Sequence, residues 1–223
     1  MMRTDQSSIM YEFIEACGLE GCPVCRLAVR TSDRYFDILA YENTNDIDVR
    51  NELRASRGFC NRHAWQYAEH HDSLGTAIVY RDVLRSLLRD MPDTHGERPF
   101  HGIRKAVQRW LDPDGSRAHT QLLHHLAPHG RCIACCREET TCNDVIDVLS
   151  HRVQESSMAS AFADSAGLCQ RHLAVALPRV RRPDARAALL AAQQKAWLRA
   201  RERVASGSAA PGVAILAGNT EPT

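Results

Sequence analysis

"GFCNRHAWQY", residues 58–67, and "GLCQRHLAVA", residues 167–176, share the phrase Gly-x-Cys-x-Arg-His. Each copy follows a Cys-x-x-Cys pair. Upstream of the first stands "GCPVC" with Cys22 and Cys25, and upstream of the second "RCIAC" with Cys132 and Cys135. The two pairs lie 110 residues apart, and the two Cys-x-x-His phrases lie 109 apart. Asp37-Ile38-Leu39 and Asp147-Val148-Leu149 also match at 110. The spacer between Cys-x-x-Cys and Cys-x-x-His holds 34 residues in the first copy and 33 in the second. Chance does not readily repeat four ligand-type residues at matched distances, so the chain reads as a tandem duplication.

Working outward, residues 1–91 form a first helical repeat and residues 117–205 a second. Residues 92–116 join them, with Pro92, Gly96, Pro99, Pro113 and Gly115 breaking regular structure around a short helix, "IRKAVQRWL". The tail from 206 to 223, "SGSAAPGVAILAGNTEPT", is small, Gly- and Pro-containing, and is expected to be disordered.

Apolar positions recur at helical spacing nearly throughout. "SSIMYEFIEAC" puts Ile9, Phe13 and Ile14 on one face. "CPVCRLAVRTSDRYFDILAYE" has Pro23 where the first helical turn accepts it. "DVRNELRAS" returns and stops at Gly58. "CNRHAWQYAEHH" and "LGTAIVYRDVLRSLLRDM" follow, the latter ended by Pro92. The second half repeats the order at 120–127, 133–155, 157–165, 169–178 and 184–204. No stretch sustains strand alternation. The expected fold is an all-α, tandem-duplicated helical bundle with a pseudo-two-fold, each half tied by one Cys₃His metal site.

The spacing has a physical reason. Residues i and i+3 share a helix face, so Cys22 pairs with Cys25, and Cys60 with His63. A spacer running about 17 residues out and 17 back, at ~1.5 Å each, forms a helical hairpin of ~25 Å. On that reading Cys22, Cys25, Cys60 and His63 make one site, and Cys132, Cys135, Cys169 and His172 make the other. Arg62 and Arg171, placed between Cys and His, could offset the charge of three thiolates or donate hydrogen bonds to them. Three Cys and one His suit Zn²⁺, giving two zinc ions per chain. The alternative on the same ligands is a [4Fe–4S] cluster. Cys17, Cys136 and Cys142 have no counterparts in the other half; they could replace a His as ligand or line the surroundings of a site, and the favoured reading is that of plain small hydrophobes. His70, His71, His119, His124, His125 and His129 read as exposed helix and loop residues. Trp65 and Tyr67 read as core aromatics.

Composition narrows function further. The chain has 223 residues, 44% of them apolar and 25% charged, with formal net charge +1. That balance is globular and argues against nucleic acid as a partner. No apolar run nears the ~20 residues that span a bilayer, and the N-terminus lacks a signal-peptide core. Nine cysteines in such a chain favour metal ligation over disulfides, in a cytoplasmic setting. The basic final helix reads as a solvated face. No Gly-x-Ser-x-Gly, phosphate-binding loop or His-Glu-x-x-His occurs. The expected function is a non-enzymatic metal-binding protein, an adaptor or regulator with a protein partner. A [4Fe–4S] electron carrier or redox sensor is the alternative.

"GCPVC" followed by "GFCNRH" resembles a group of uncharacterised bacterial proteins with CPxC and GFCxxH motifs. The resemblance covers the ligand constellations and implies no established activity. "CPVC" also looks like half a rubredoxin knuckle. Arg26 stands where the knuckle has Gly and no second knuckle follows, which removes that reading.

Overall fold

Pro23 opens the helix that sets the pattern of the molecule: it sits at the first helical position, where its missing N–H costs no bond. The computed structural model describes residues 6–43, 46–70, 73–91 and 116–206. Among these are ten α-helices and no strand. They are α1 (Gln6–Cys17), α2 (Pro23–Ile38), α3 (Ile47–Ala55), α4 (Asn61–Glu69) and α5 (Ser73–Asp90), then α6 (Ser116–Leu126), α7 (Ile133–Arg152), α8 (Ser156–Asp164), α9 (Gln170–Ala176) and α10 (Pro183–Ala205). A π-helical turn, Leu39–Asn43, follows α2. The fold is all-α, as the apolar periodicity implies. The expected helix at 103–111 and the tail after 206 lie outside the described residues. Among the described residues no helix is long and apolar enough to cross a membrane.

Local chemistry fixes several helix ends. Asp46 caps α3, its carboxylate accepting from the N–H groups of Asp48 and Val49 at 2.9 and 3.0 Å. Arg57 and Gly58 leave α3 with φ of 56° and 90°. Arg57 is held in this left-handed region by donating to Asp90 and to the His125 carbonyl, both at 2.6 Å.

The chain divides into two compact units that do not coincide with the sequence halves. One is Met1–Tyr35 with Ala134–Thr223, and the other is Phe36–Ile133. In the first unit, Phe13 of α1 meets Phe162 of α8 at 6.2 Å between ring centroids. Val24, Leu27, Ile146, Leu149, Leu168 and Leu189 complete much of that core. Burial of such side chains is worth ~1.5–3 kcal/mol each. Thr31 and Thr141, the repeat distance apart, share a hydrogen bond of 3.0 Å. Ser32, fully buried, donates to the buried carboxylate of Glu138. In the second unit, Phe36 packs edge-on against Phe59 at 5.2 Å and lies 5.4 Å from Tyr67. Asp82 of α5 receives Arg54 at 2.7 Å and Arg50 at 3.4 Å from α3. Burial tends to raise its carboxyl pKa, but the two guanidiniums outweigh this and hold it low.

One buried polar group is structurally specific. Gln193 is 1% exposed in the middle of α10. Its Oε1 accepts from the Leu168 N–H at 2.8 Å and its Nε2 donates to the Leu168 carbonyl at 3.0 Å. The amide thus satisfies both backbone groups of the residue before Cys169. Gln193→Leu strands that buried pair and is expected to cost ~2–4 kcal/mol in denaturant unfolding. A loss under 1 kcal/mol would show that water or another group takes over.

Candidate metal centres

Each ligand phrase begins a helix. Cys22 immediately precedes α2, Cys60 precedes α4, Cys132 precedes α7 and Cys169 precedes α9. Cys60 and Cys169 are N-caps with nearly identical backbones, φ −65°, ψ 165° and φ −66°, ψ 162°. Neither sulfur caps its own helix. The second ligand of each phrase is three residues on, in the first turn. This is the spacing at which capping-box side chains meet, which is why i and i+3 converge here. Cys60 Sγ lies 3.3 Å from His63 Nδ1, and Cys169 Sγ lies 3.3 Å from His172 Nδ1.

The phrases combine into two clusters, and the combination crosses the sequence halves. Cys22, Cys25, Cys169 and His172 form one cluster, and Cys60, His63, Cys132 and Cys135 the other. Within each, the ligand atoms all lie within 4.8 Å of one another. His172 Nδ1 is 3.6 Å from Cys22 Sγ and 3.3 Å from Cys25 Sγ, and Cys25 Sγ is 3.8 Å from Cys169 Sγ. His63 Nδ1 is 3.5 Å from Cys132 Sγ. Cys135 lies in the first turn of the helix that Cys132 precedes.

All eight expected residues are therefore brought together, but the expected pairing is corrected. Cys22 and Cys25 do not join Cys60 and His63, and Cys132 and Cys135 do not join Cys169 and His172. The reason is helix length. α2 has 16 residues and α7 has 20, whereas the returning α3 and α8 have 9 each. At ~1.5 Å per residue the return covers ~14 Å against an outward ~24–30 Å. The hairpin does not bring the chain back to the Cys-x-x-Cys end.

The electrostatics suit anions. Two helix N-termini meet at each cluster, and the helix dipoles there favour thiolate over thiol. Arg62 is half-buried in α4, and Arg171 stands on the exposed side of α9. In the first cluster Cys169 is held well below the usual thiol range by hydrogen bonds from Cys22 and Cys25, with His172 adding to them and burial opposing. Cys22 is pushed up by those same hydrogen bonds to Cys169 and Cys25, and by burial. Burial would lower His172, but its hydrogen bonds to Cys142, Cys169 and Cys25 outweigh that and raise it to about 11. Without metal, these opposite directions favour an imidazolium beside a thiolate. That pairing stabilises the metal-free fold fully below ~6.5 and fades as pH rises through about 11.

Around the clusters stand residues that the motifs do not reveal. Cys142 hydrogen-bonds His172. Phe36 faces His63 edge-on at 6.1 Å. Tyr80 is raised by burial, with the charges of Cys132 and Cys60 adding to it. Tyr67 is fully buried, as expected, but Trp65 is 66% exposed and is not a core residue. On a helix that turns His63 and Tyr67 inward, a residue two positions from each points elsewhere. Burial pushes the Cys17 thiol up to about 12, against a hydrogen bond to Ser165, which fits an inert packing residue. His124, His125 and His129 are exposed. A pair of glutamines inside "ALLAAQQKAW", of which Gln193 is the first, is the sequence signal for that buried amide.

A family model matches residues 12–204, a span that includes both clusters and nearly all of the described helices. The chain belongs to the family of unknown function DUF6062. Among curated proteins it is similar to an uncharacterised 23.9 kDa protein in the xynA 3′ region of Caldicellulosiruptor sp. (strain Rt8B.4). The two are 29% identical over 172 residues, which is 77% of this chain and 72% of the relative. No solved structure matches.

Proposed function

We propose that this chain is a non-enzymatic metal-binding protein that holds two zinc ions, one in each Cys₃His cluster, and uses them to tie remote parts of the chain together. The observation that carries this reading is the spacing of the donor atoms. A tetrahedral zinc with Zn–S of ~2.3 Å and Zn–N of ~2.0–2.1 Å sets S···S near ~3.8 Å and S···N near ~3.5 Å. The first cluster has S···S of 3.8 Å and S···N of 3.3, 3.3 and 3.6 Å. A [4Fe–4S] cubane places irons and sulfides between its thiolates and so holds them farther apart than a single ion does. The 4.8 Å limit on every donor pair therefore supports a mononuclear ion.

Four protein donors fill a tetrahedron and leave no position for a substrate or activated water, the pattern of a structural site. The ligands of the first cluster are all buried. Helix ends distant in sequence meet there, so metal binding contributes to folding. With no open metal position, the remaining role is that of an adaptor or regulator whose fold depends on metal supply.

Purified chain is expected to be colourless and to contain two zinc per molecule by elemental analysis. A brown protein with broad absorption near 400 nm and comparable iron and sulfide would replace zinc by a cluster. Metal uptake at the first site must displace the proton of His172. Zinc affinity, measured by competition with a chelator, is expected to rise at least ~10-fold per pH unit between about pH 5 and 8. Affinity that ignores pH in that window would rule out His172 as a ligand.

A further inference from the structure

The two clusters share donor set and helix-end geometry but differ in access. Cys22, Cys25, Cys169 and His172 are all buried, whereas in the other cluster only His63 is buried and Cys60, Cys132 and Cys135 are half-buried. The chemistry of zinc thiolates depends on whether another molecule can reach sulfur. We propose that the Cys60–His63–Cys132–Cys135 cluster is a peroxide-responsive metal site, giving up its metal on oxidation while the buried cluster keeps its own. This inference rests on the metal-binding reading above.

The step balances within the site. The Cys132 thiolate attacks one oxygen of hydrogen peroxide, the O–O bond breaks, and sulfenic acid and hydroxide form. The Cys135 thiolate then attacks the Cys132 sulfur, an S–S bond forms and a second hydroxide leaves. Two thiolates have lost two electrons in total and one peroxide has been reduced to two hydroxides, which take up protons as water. Cys132 and Cys135 are the chosen pair because they flank a single helical turn and their sulfurs lie within 4.8 Å. Closing to the ~2.05 Å of a disulfide needs side-chain movement at one helix end and no rearrangement elsewhere. Cys60 and His63 alone then remain as donors, too few to hold a tetrahedral ion. At the buried cluster the same chemistry is available to the same atoms, but peroxide does not reach them.

The experiment uses the full chain loaded with two zinc per molecule and treated with hydrogen peroxide. Released zinc is followed with a chromophoric chelator, and samples are alkylated and mapped by mass spectrometry. One equivalent is expected to leave roughly tenfold faster than the other or more. Cys132 and Cys135 should lose alkylation together, while Cys22, Cys25 and Cys169 still react after denaturation. A dithiol reductant with added zinc should restore the lost equivalent. Two equivalents leaving at one rate would overturn the inference, as would early loss at Cys22, Cys25 or Cys169, or zinc that stays bound under peroxide. Each of those results leaves the metal-binding reading standing. Protein that takes up no zinc sinks that reading and this inference with it.

Discussion

A chain carrying both Cys25→Ser and His172→Ala is expected to retain one zinc ion, whereas Cys25→Ser combined with His63→Ala leaves none. The two pairs are chemically equivalent, one thiol and one imidazole each. They differ only in whether the lost ligands share a cluster. Cys25 Sγ lies 3.3 Å from His172 Nδ1, so the first pair damages a single site. His63 belongs with Cys60, Cys132 and Cys135, so the second pair damages both. Pairing within sequence halves gives the reverse result, with two sites lost in the first variant and one in the second. Elemental analysis after gel filtration decides between them. The stability effects should also be large. Structural zinc binds with ~10–16 kcal/mol of apparent free energy, much of it coupled to folding. If a third of that is lost with one site, ~3–5 kcal/mol disappears and Tm falls by about 10 °C. Should the chain fail to fold, the single variants Cys25→Ser and His63→Ala carry the same test through the competition behaviour of the surviving site.

The second large effect is expected at a glycine. Gly167 and Gly58 occupy the same place in the two Gly-x-Cys phrases, with φ of 77° and 90°. Their surroundings differ. A Cβ at Gly58 would find Tyr80 and Val83 at 3.8 Å, ordinary contact. At Gly167 it would meet Ala196 Cβ and Gln193 Nε2 at 2.9 Å and Gln193 Oε1 at 3.0 Å. Gly58→Ala therefore carries only the left-handed backbone cost of ~1–2 kcal/mol. Gly167→Ala adds overlap with α10 worth ~1–3 kcal/mol and pushes against the amide that brackets Leu168. Its total is expected near ~2–5 kcal/mol, with weakened zinc retention at the buried cluster, because Cys169 is two residues on. Denaturant unfolding of both variants at constant metal content measures the difference. Equal losses would mean that α10 can give way and that the close approach is not a constraint.

The clusters were legible in part. Cys-x-x-Cys and Cys-x-x-His announce themselves because an N-cap and the residue three on face the same way whatever the rest of the chain does. Helical periodicity was equally local, and Pro23, Pro183 and Gly58 fall at helix ends where their backbones belong. What misled was the spacer. Its length in residues suggested an even hairpin, but the π-helical turn at Leu39–Asn43 uses up residues that an even hairpin would spend on the return helix, and α3 is left with 9. Trp65 misled for a similar reason: its neighbours His63 and Tyr67 are buried, and only the phase of α4 shows that it is not.

The sequence by itself determined the helical character of the described residues and set eight Cys and His residues of ligand type at four helix starts, since each of those facts depends on contacts within one or two turns. The tertiary structure decided which starts meet. Cys22 joins His172 across 150 residues, and Cys60 joins Cys132 across an intervening α5 and α6. Such pairings depend on helix lengths and on which apolar faces bury against each other, which no local pattern encodes. The same packing buried one cluster wholly and left the thiols of the other half-open, so two sites written with nearly the same letters stand in different chemical environments.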